Sequence, residues 1–552
     1  SGPLIEDKLL FSLSARGRDF GGVFKNTFLD KMADENEEIA GRARLIWNPS
    51  DDFTLDFRAN SARQEGGTLN YHYQPVLLQP NGHFLLDATS FASFDFSVND
   101  ANLVDRTFKA SNLGKSNRDI DEVSIKMDWN FGWADFSSVT AFVGLKEHLL
   151  ADNFPYTADG DTLFGGGGQG TYVDVSAYSQ EFRITSLDDQ DFRWQAGVYA
   201  LSTDRFSSNF SSSDTGQGLI RLTTRPTTDP RNPTLTFLSS DNDDFAWAFF
   251  GNVAYDISEK LEIGFAGRYD NDDREQNVSV FNTAGTPGAK NKAEFSAFQP
   301  KVTVRYMPDD TFSIFSSWGK GFRSGQFNQN GIDIAVAGFG LLGVKEIAPK
   351  EITTSTEIGF KKILQDGRVK INGALFYTEL ENGQVFRFIP ACGCQAIIPV
   401  DQTDILGGEF DITARLIDGL EIYVAAGVTD SEIKRFAFQP SSEGNKFPQT
   451  PDYTFNFGAS YRAGLVANLD GFIRLDYEKR GSQFDIPANV AKRDPLDLVN
   501  VRVGVEDIEG KWSLISTVSN ATDEKYNAEF GDGGFATPAM PRLWRIDFTY
   551  NF

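Results

Sequence analysis

The sequence predicts an all-β fold, a transmembrane antiparallel barrel, and three observations point to it. Apolar and polar residues alternate with a period of two along most of the chain. Many alternating runs are long: Trp544, Ile546, Phe548, Tyr550 and Phe552 share one face, with Arg545, Asp547, Thr549 and Asn551 on the other. A tilted strand needs ~9–11 residues to cross a bilayer, whereas a strand of a soluble sandwich usually has ~5–6. Third, short turns and longer polar connections follow one another in strict succession, the asymmetry of a barrel with tight turns at one end and loops at the other.

Composition agrees. The 552 residues include 49 Phe and 51 Gly but only 4 Met, 3 His and 2 Cys. Phe, Gly, Asp, Asn and Thr supply strands and turns. A net charge of −25 makes nucleic acid a poor partner. Two cysteines exclude a disulfide scaffold or zinc ribbons. No apolar run is long enough for a membrane-spanning helix.

Taken in order, the tight turns fall near Ile5–Lys8, Pro49–Asp52, Phe131–Gly132, Asp188–Gln190, Ser258–Lys260, Pro308–Asp310, Gln365–Gly367, Ile417–Gly419, Leu469–Gly471 and Glu509–Lys511. Each is followed by a rising and a returning strand, so about 20 strands are expected, with Phe552 on the short-turn side. The face pattern is explicit at several strands. Tyr453, Phe455, Phe457 and Tyr461 should face lipid, with Thr454, Asn456, Ser460 and Arg462 toward the lumen. Trp47, Trp129, Trp133, Trp194, Trp318 and Trp544 are expected near strand ends, as interfacial girdles. The longest insertion, from about Gly66 to Asn117, and the connections near 151–171, 207–243, 277–292, 325–349, 389–403, 434–449, 481–494 and 529–541 read as outer loops.

Several segments resemble the TonB-dependent outer-membrane receptors. Pro300–Tyr306, running through Asp309-Asp310 to Ser317-Trp318-Gly319-Lys320-Gly321-Phe322-Arg323-Ser324-Gly325, is similar to a hairpin of that family. So are Thr356–Lys361, Asp366-Gly367-Arg368 with Asn372–Tyr377, and Ser519–Asn527. The terminal Phe552, preceded by alternate apolar residues, resembles the signal for barrel assembly. The resemblance implies a barrel of the 22-stranded, plugged type. It places Ser1 near the turn between the second and third strands, with the plug and first hairpin absent from 1–552. It also implies an active transporter that takes up a scarce large solute, a ferric siderophore first of all, driven by the TonB complex acting through the plug. Oligosaccharide, cobalamin or another nutrient is the alternative by the same mechanism. A passive, porin-like channel is the alternative from another class. A continuous ladder between Leu9–Arg16 and Leu543–Tyr550 would favour that channel. The other expected partners are outer-membrane lipid and lipopolysaccharide.

Candidate ligand contacts are the outer-loop residues Tyr71, His72, Tyr73, Phe84 and Tyr156, with Arg323 from the Gly321–Gly325 stretch. His72 and His83 as haem or iron ligands compete with the plainer reading of polar loop residues, and no histidine spacing marks a zinc site. Cys392 and Cys394 read as a tight disulfide at a loop tip in an oxidising compartment, since no further soft ligands flank them. No catalytic cluster, resident metal or cofactor is expected.

Overall fold

A computed structural model of the chain describes residues 1–67, 72–73, 100–108, 110, 112–152, 167–214, 220–221, 235–282, 285–389, 394–466, 468–531 and 535–551. Among the described residues twenty long strands, from Leu9–Phe20 to Leu543–Tyr550, form one antiparallel sheet in which each pairs with its neighbour in the chain. A short strand, Gly2–Ile5, adds to the outer edge of Leu9–Phe20. Among the described residues the last strand, Leu543–Tyr550, pairs only with Trp512–Ser519. The ladder between Leu9–Arg16 and Leu543–Tyr550 does not occur among them, and Gly2–Ile5 occupies the edge it would need.

Side chains sort by face as the alternation requires. Directly paired residues share a face. Tyr461 pairs with Ile473, Ala459 with Leu475 and Phe457 with Tyr477, and these meet Val503, Val501 and Val499 on the next strand. On the opposite face Ser460 lies beside Arg474 and Arg502, and Asn456 beside Glu478. A polar inner face and an apolar outer one is the arrangement of a barrel whose exterior solvent is lipid.

Ion pairs tie the polar face across strands. Asp56, 5% exposed, accepts from Arg44 at 2.7 Å and Arg58 at 2.6 Å. Arg193 bridges Asp256 and Glu262, each at 2.6 Å, and Glu262 also takes Arg305 at 2.7 Å. Such charges are tolerable on this face because each is paired and the cavity they line is wet. On the apolar face, near the short turns, Trp47, Phe53, Trp129, Phe131 and Trp133 form a run of ring contacts 5.0–6.4 Å apart, an interfacial girdle. Trp318 departs from expectation: it sits in the middle of Phe312–Arg323, not at its end.

The turns cluster as expected. Asp309, Asp366, Gly419 and Gly510 lie at one end with Asn551, whose amide bonds to Lys511 O at 2.7 Å. Phe552 lies outside the described residues. The Ile389–Cys394 pairing lies at the other end. Gly367, Gly419 and Gly510 have φ of 88°, 82° and 72°, values that favour glycine. One turn is displaced: the sequence places it on Leu469–Gly471, but Leu469 is already paired with Val466 across the ladder. Asp470 and Gly471 are already inside the strand, paired with Gly464 and Ala463. An Asp-Gly pair marks a turn only where no ladder claims it.

The outer connections are more ordered than expected. Phe192–Asp214 has 23 residues and Leu235–Ser258 and Cys394–Ile417 have 24 each, about twice what a bilayer needs. The 389–403 region, read as a loop, is mostly strand. Beyond the apolar band both faces meet water, so the alternation that marks a strand is lost while backbone pairing continues.

Candidate functional site

Chemistry at the long-loop end begins with a strap. Residues 100–108, with Ala110, bond across the outer surface between the first connection and the last two. Asn102 donates to Lys492 O at 3.1 Å, and its Oδ1 accepts from the Asp494 amide at 2.8 Å. Arg106 binds Asp523 and the Glu524 carbonyl, both at 3.1 Å. Asn527, 3% exposed, donates to Ala101 O and Leu103 O at 3.0 Å. At the strap's far end Asn26 donates to Ala110 O at 2.8 Å, and Thr27 N to Phe108 O at 2.7 Å. Ala101, Ala491, Phe530 and Ala536 form the small apolar core beneath it. The strap thus spans the flank where Leu543–Tyr550 and Gly2–Ile5 lack a mutual ladder.

The amide of Arg542, then the guanidinium of Arg106, hold the Asp523 carboxyl below its usual range. A depressed carboxylate stabilises at pH above its unfolded value, and the contribution disappears as pH falls through the folded one. The strap is therefore expected to stay protected from hydrogen exchange at pH 5 and to open below about pH 4. Exchange of the 101–108 amides against pH checks this, and protection unchanged at pH 2 contradicts it.

A cap covers the neighbouring quadrant. Helix Ile332–Ala337 buries Ile332 and Val336 against Ile389, Ile398, Val400, Ile433 and Phe436. Asn328 pins the approach to the helix by donating to Lys345 O at 2.7 Å and Ile397 O at 2.9 Å, while accepting from Ile397 N at 2.8 Å.

Of the candidate ligand contacts, Arg323 is at the outer end of its strand. It donates to Glu351 Oε2 at 2.7 Å, and the same oxygen accepts the Gln384 amide at 2.8 Å. Its side chain remains 53% exposed, so the residue braces three strands without being buried. His72–Tyr73 form a short strand against Phe535–Ala536, joining the first long connection to the last. Tyr71, Phe84, Tyr156 and Cys392 lie outside the described residues. Cys394, which is disulfide-bonded, opens its strand at the outer end. The structure does not gather these candidates into one described site. Sequence reasoning missed Asn26, Asn102, Asn328 and Asn527, whose amides organise the connections; an asparagine in a polar loop carries no distinguishing signal.

Gly325, last in the motif stretch, has a physical reason to be glycine. A Cβ there would sit on the Ala348 carbonyl oxygen and against the Phe295 ring. Gly325→Ala is expected to cost about 1–3 kcal/mol by overpacking and to loosen the Gln326–Phe327 pairing with Ile347–Ala348. Proteolysis between residues 325 and 350 reads it.

At the short-turn end, a charged cavity of about 480 Å³ is lined by Asp51, Asp52, Lys126, Asp128, Asp135 and Arg183.

This geometry has relatives. Residues 56–521 match the family described as TonB dependent receptor-like, beta-barrel. The chain belongs to that family. A probable TonB-dependent siderophore receptor, PiuA of Acinetobacter baumannii, is 23% identical over 320 residues, which is 53% of this chain and 39% of the relative's length. Among solved structures, the ferric yersiniabactin uptake receptor FyuA of Yersinia pestis superposes with a TM-score of 0.75 at 16% identity, covering 100% of this chain and 76% of that one. The ferric preacinetobactin receptor BauA of Acinetobacter baumannii gives 0.69 at 13% identity, covering 99% and 78%. At these identities the superpositions speak for the barrel fold of the TonB-dependent receptors.

Proposed function

We propose that residues 1–552 form the barrel of an outer-membrane active transporter that takes up a scarce large solute, a ferric siderophore first of all. The observation that carries the reading is a family match over most of a barrel whose outer face is apolar and girdled and whose inner face is polar and ion-paired. Curated and structural relatives named as siderophore and ferric-complex receptors support the solute class. In this reading lipid and lipopolysaccharide surround the apolar band, and the strap and cap frame an outer vestibule with Arg323 at its wall. A plug would fill the lumen against the Arg193–Glu262–Arg305 ladder and the acidic short-turn cavity. Work done by the TonB complex on that plug would open the path.

The test is uptake in the native host. Deleting the gene for this chain is expected to abolish energy-dependent uptake of a radiolabelled ferric siderophore that the host uses, and removing TonB should do the same. Uptake that persists without TonB, but is lost with the barrel, would instead establish a passive channel. Uptake unaffected by deletion overturns the siderophore assignment.

A further inference from the structure

A second cavity has no place in this account. It measures about 290 Å³ and lies at the long-loop end among strands Phe192–Asp214, Leu235–Ser258 and Leu261–Val278, residues 282, 285–286 and 327–330, and the outer ends of Val369–Ile389 and Cys394–Ile417. Its lining is rich in uncharged hydrogen-bonding groups, among them Ser207, Asn209, Gln276, Asn282, Gln329 and Asn330. Arg205 is the only charged side chain among the described lining residues, in a chain of net charge −25. Two of the lining residues, Ser239 and Asn282, are themselves 4% and 8% exposed, and each carries a buried oxygen with no hydrogen-bond partner in the structure.

The amides behind the cavity are fixed in orientation. Gln276 donates to Asn242 Oδ1 at 3.3 Å and accepts from Asn291 at 3.0 Å. Asn291 and Asn330 exchange reciprocal bonds at 3.1 and 2.9 Å. Phe327 and Phe386 add aromatic surface.

This chemistry discriminates among occupants. An apolar group would displace water from the lining amides and hydroxyls without replacing its hydrogen bonds. A divalent cation finds no carboxylate in the described lining, and no metal-holding cluster occurs among the described residues. A polyanion would meet one arginine. A neutral ring carrying several hydroxyls satisfies donors and acceptors together, and its C–H face suits the phenylalanines. The volume is at the small end of the ~300–1,000 Å³ of ligand pockets, room for one ring and not for a whole metal complex. We propose that this cavity binds a single neutral hexose-type sugar ring, either as a free sugar or as one unit of a longer glycan. The site stands independently of the transported solute.

Saturation-transfer NMR on the detergent-solubilised full chain tests it, with glucose, N-acetylglucosamine and dextran as probes. Transfer to the monosaccharides identifies a free-sugar site, and transfer to dextran alone identifies a glycan unit. Either supports the proposal if Asn282→Leu, and separately the cavity-filling Ser207→Trp, weaken the signal by about ten-fold. Both variants are first shown to be folded by their heat-modifiable gel mobility, and the filling variant keeps the test open if Asn282→Leu fails to fold. No transfer to any probe means a water-filled cavity and overturns the proposal, as does transfer undiminished in a folded variant.

Discussion

Arginine in place of Leu475 is expected to destabilise the barrel by about 2–4 kcal/mol, the cost of a cation at the middle of a lipid-facing strand. Leu475 sits midway along Leu469–Arg480, on the face it shares with Ala459 and Val501. Ser460→Arg, on the adjacent strand, one register position over and on the opposite face, places the same charge between Arg474 and Glu421. There it meets water and a nearby carboxylate, and it should cost under about 1 kcal/mol. Unfolding in urea from lipid vesicles, followed by the shift in gel mobility, measures both. Equal costs for the two, or the reverse order, would mean that the faces are inverted and the membrane reading fails.

The second large effect belongs to the cap. Phe436 is fully buried among Ile332, Val336, Ile398 and Ile433. Truncation to alanine should cost about 3–5 kcal/mol through lost burial and the cavity left behind. Because this core is outside the apolar band and touches the barrel only through extended strand ends, the cost should appear locally. Hydrogen exchange of residues 328–345 is expected to accelerate by two or more orders of magnitude (each 1.4 kcal/mol being tenfold), while the barrel's urea midpoint stays put. A fall in that midpoint with no change in local exchange would show that cap and barrel unfold as one unit.

These two predictions also mark where sequence was informative. Phe457 and Tyr461 were legible because lipid on one side and water on the other impose a period-two code on every strand crossing the band. The number of long strands followed from turn chemistry, even though Asp470-Gly471 misplaced one reversal by about two residues. Nothing comparable marks the outer end. The Ile332–Ala337 helix is six residues long, too short for a 3.6-residue period to declare itself. The pairing of His72–Tyr73 with Phe535–Ala536 joins segments far apart in the chain, and alternation within either says nothing about its partner. The candidate site was therefore legible only as a region. Arg323 came from a motif, while the asparagines that build the strap and the amide-lined cavity came from contacts alone.

The strap also bears on the order of events during folding. Its bonds to the last two connections join residues 390–426 positions apart. Closure entropy grows only with the logarithm of that separation, so the tie is thermodynamically tolerable. Kinetically it is different: Ala101 and Leu103 have no acceptor role until Asn527 has arrived, when nearly the whole wall has been laid down. Each earlier hairpin can zip against its predecessor, but this tie reports on the two extremes of the wall at once. Burial of the Asn527 side chain against the 101 and 103 carbonyls is thus a time stamp on the outer surface, acquired late, that separates finished barrels from those still waiting for their last strands.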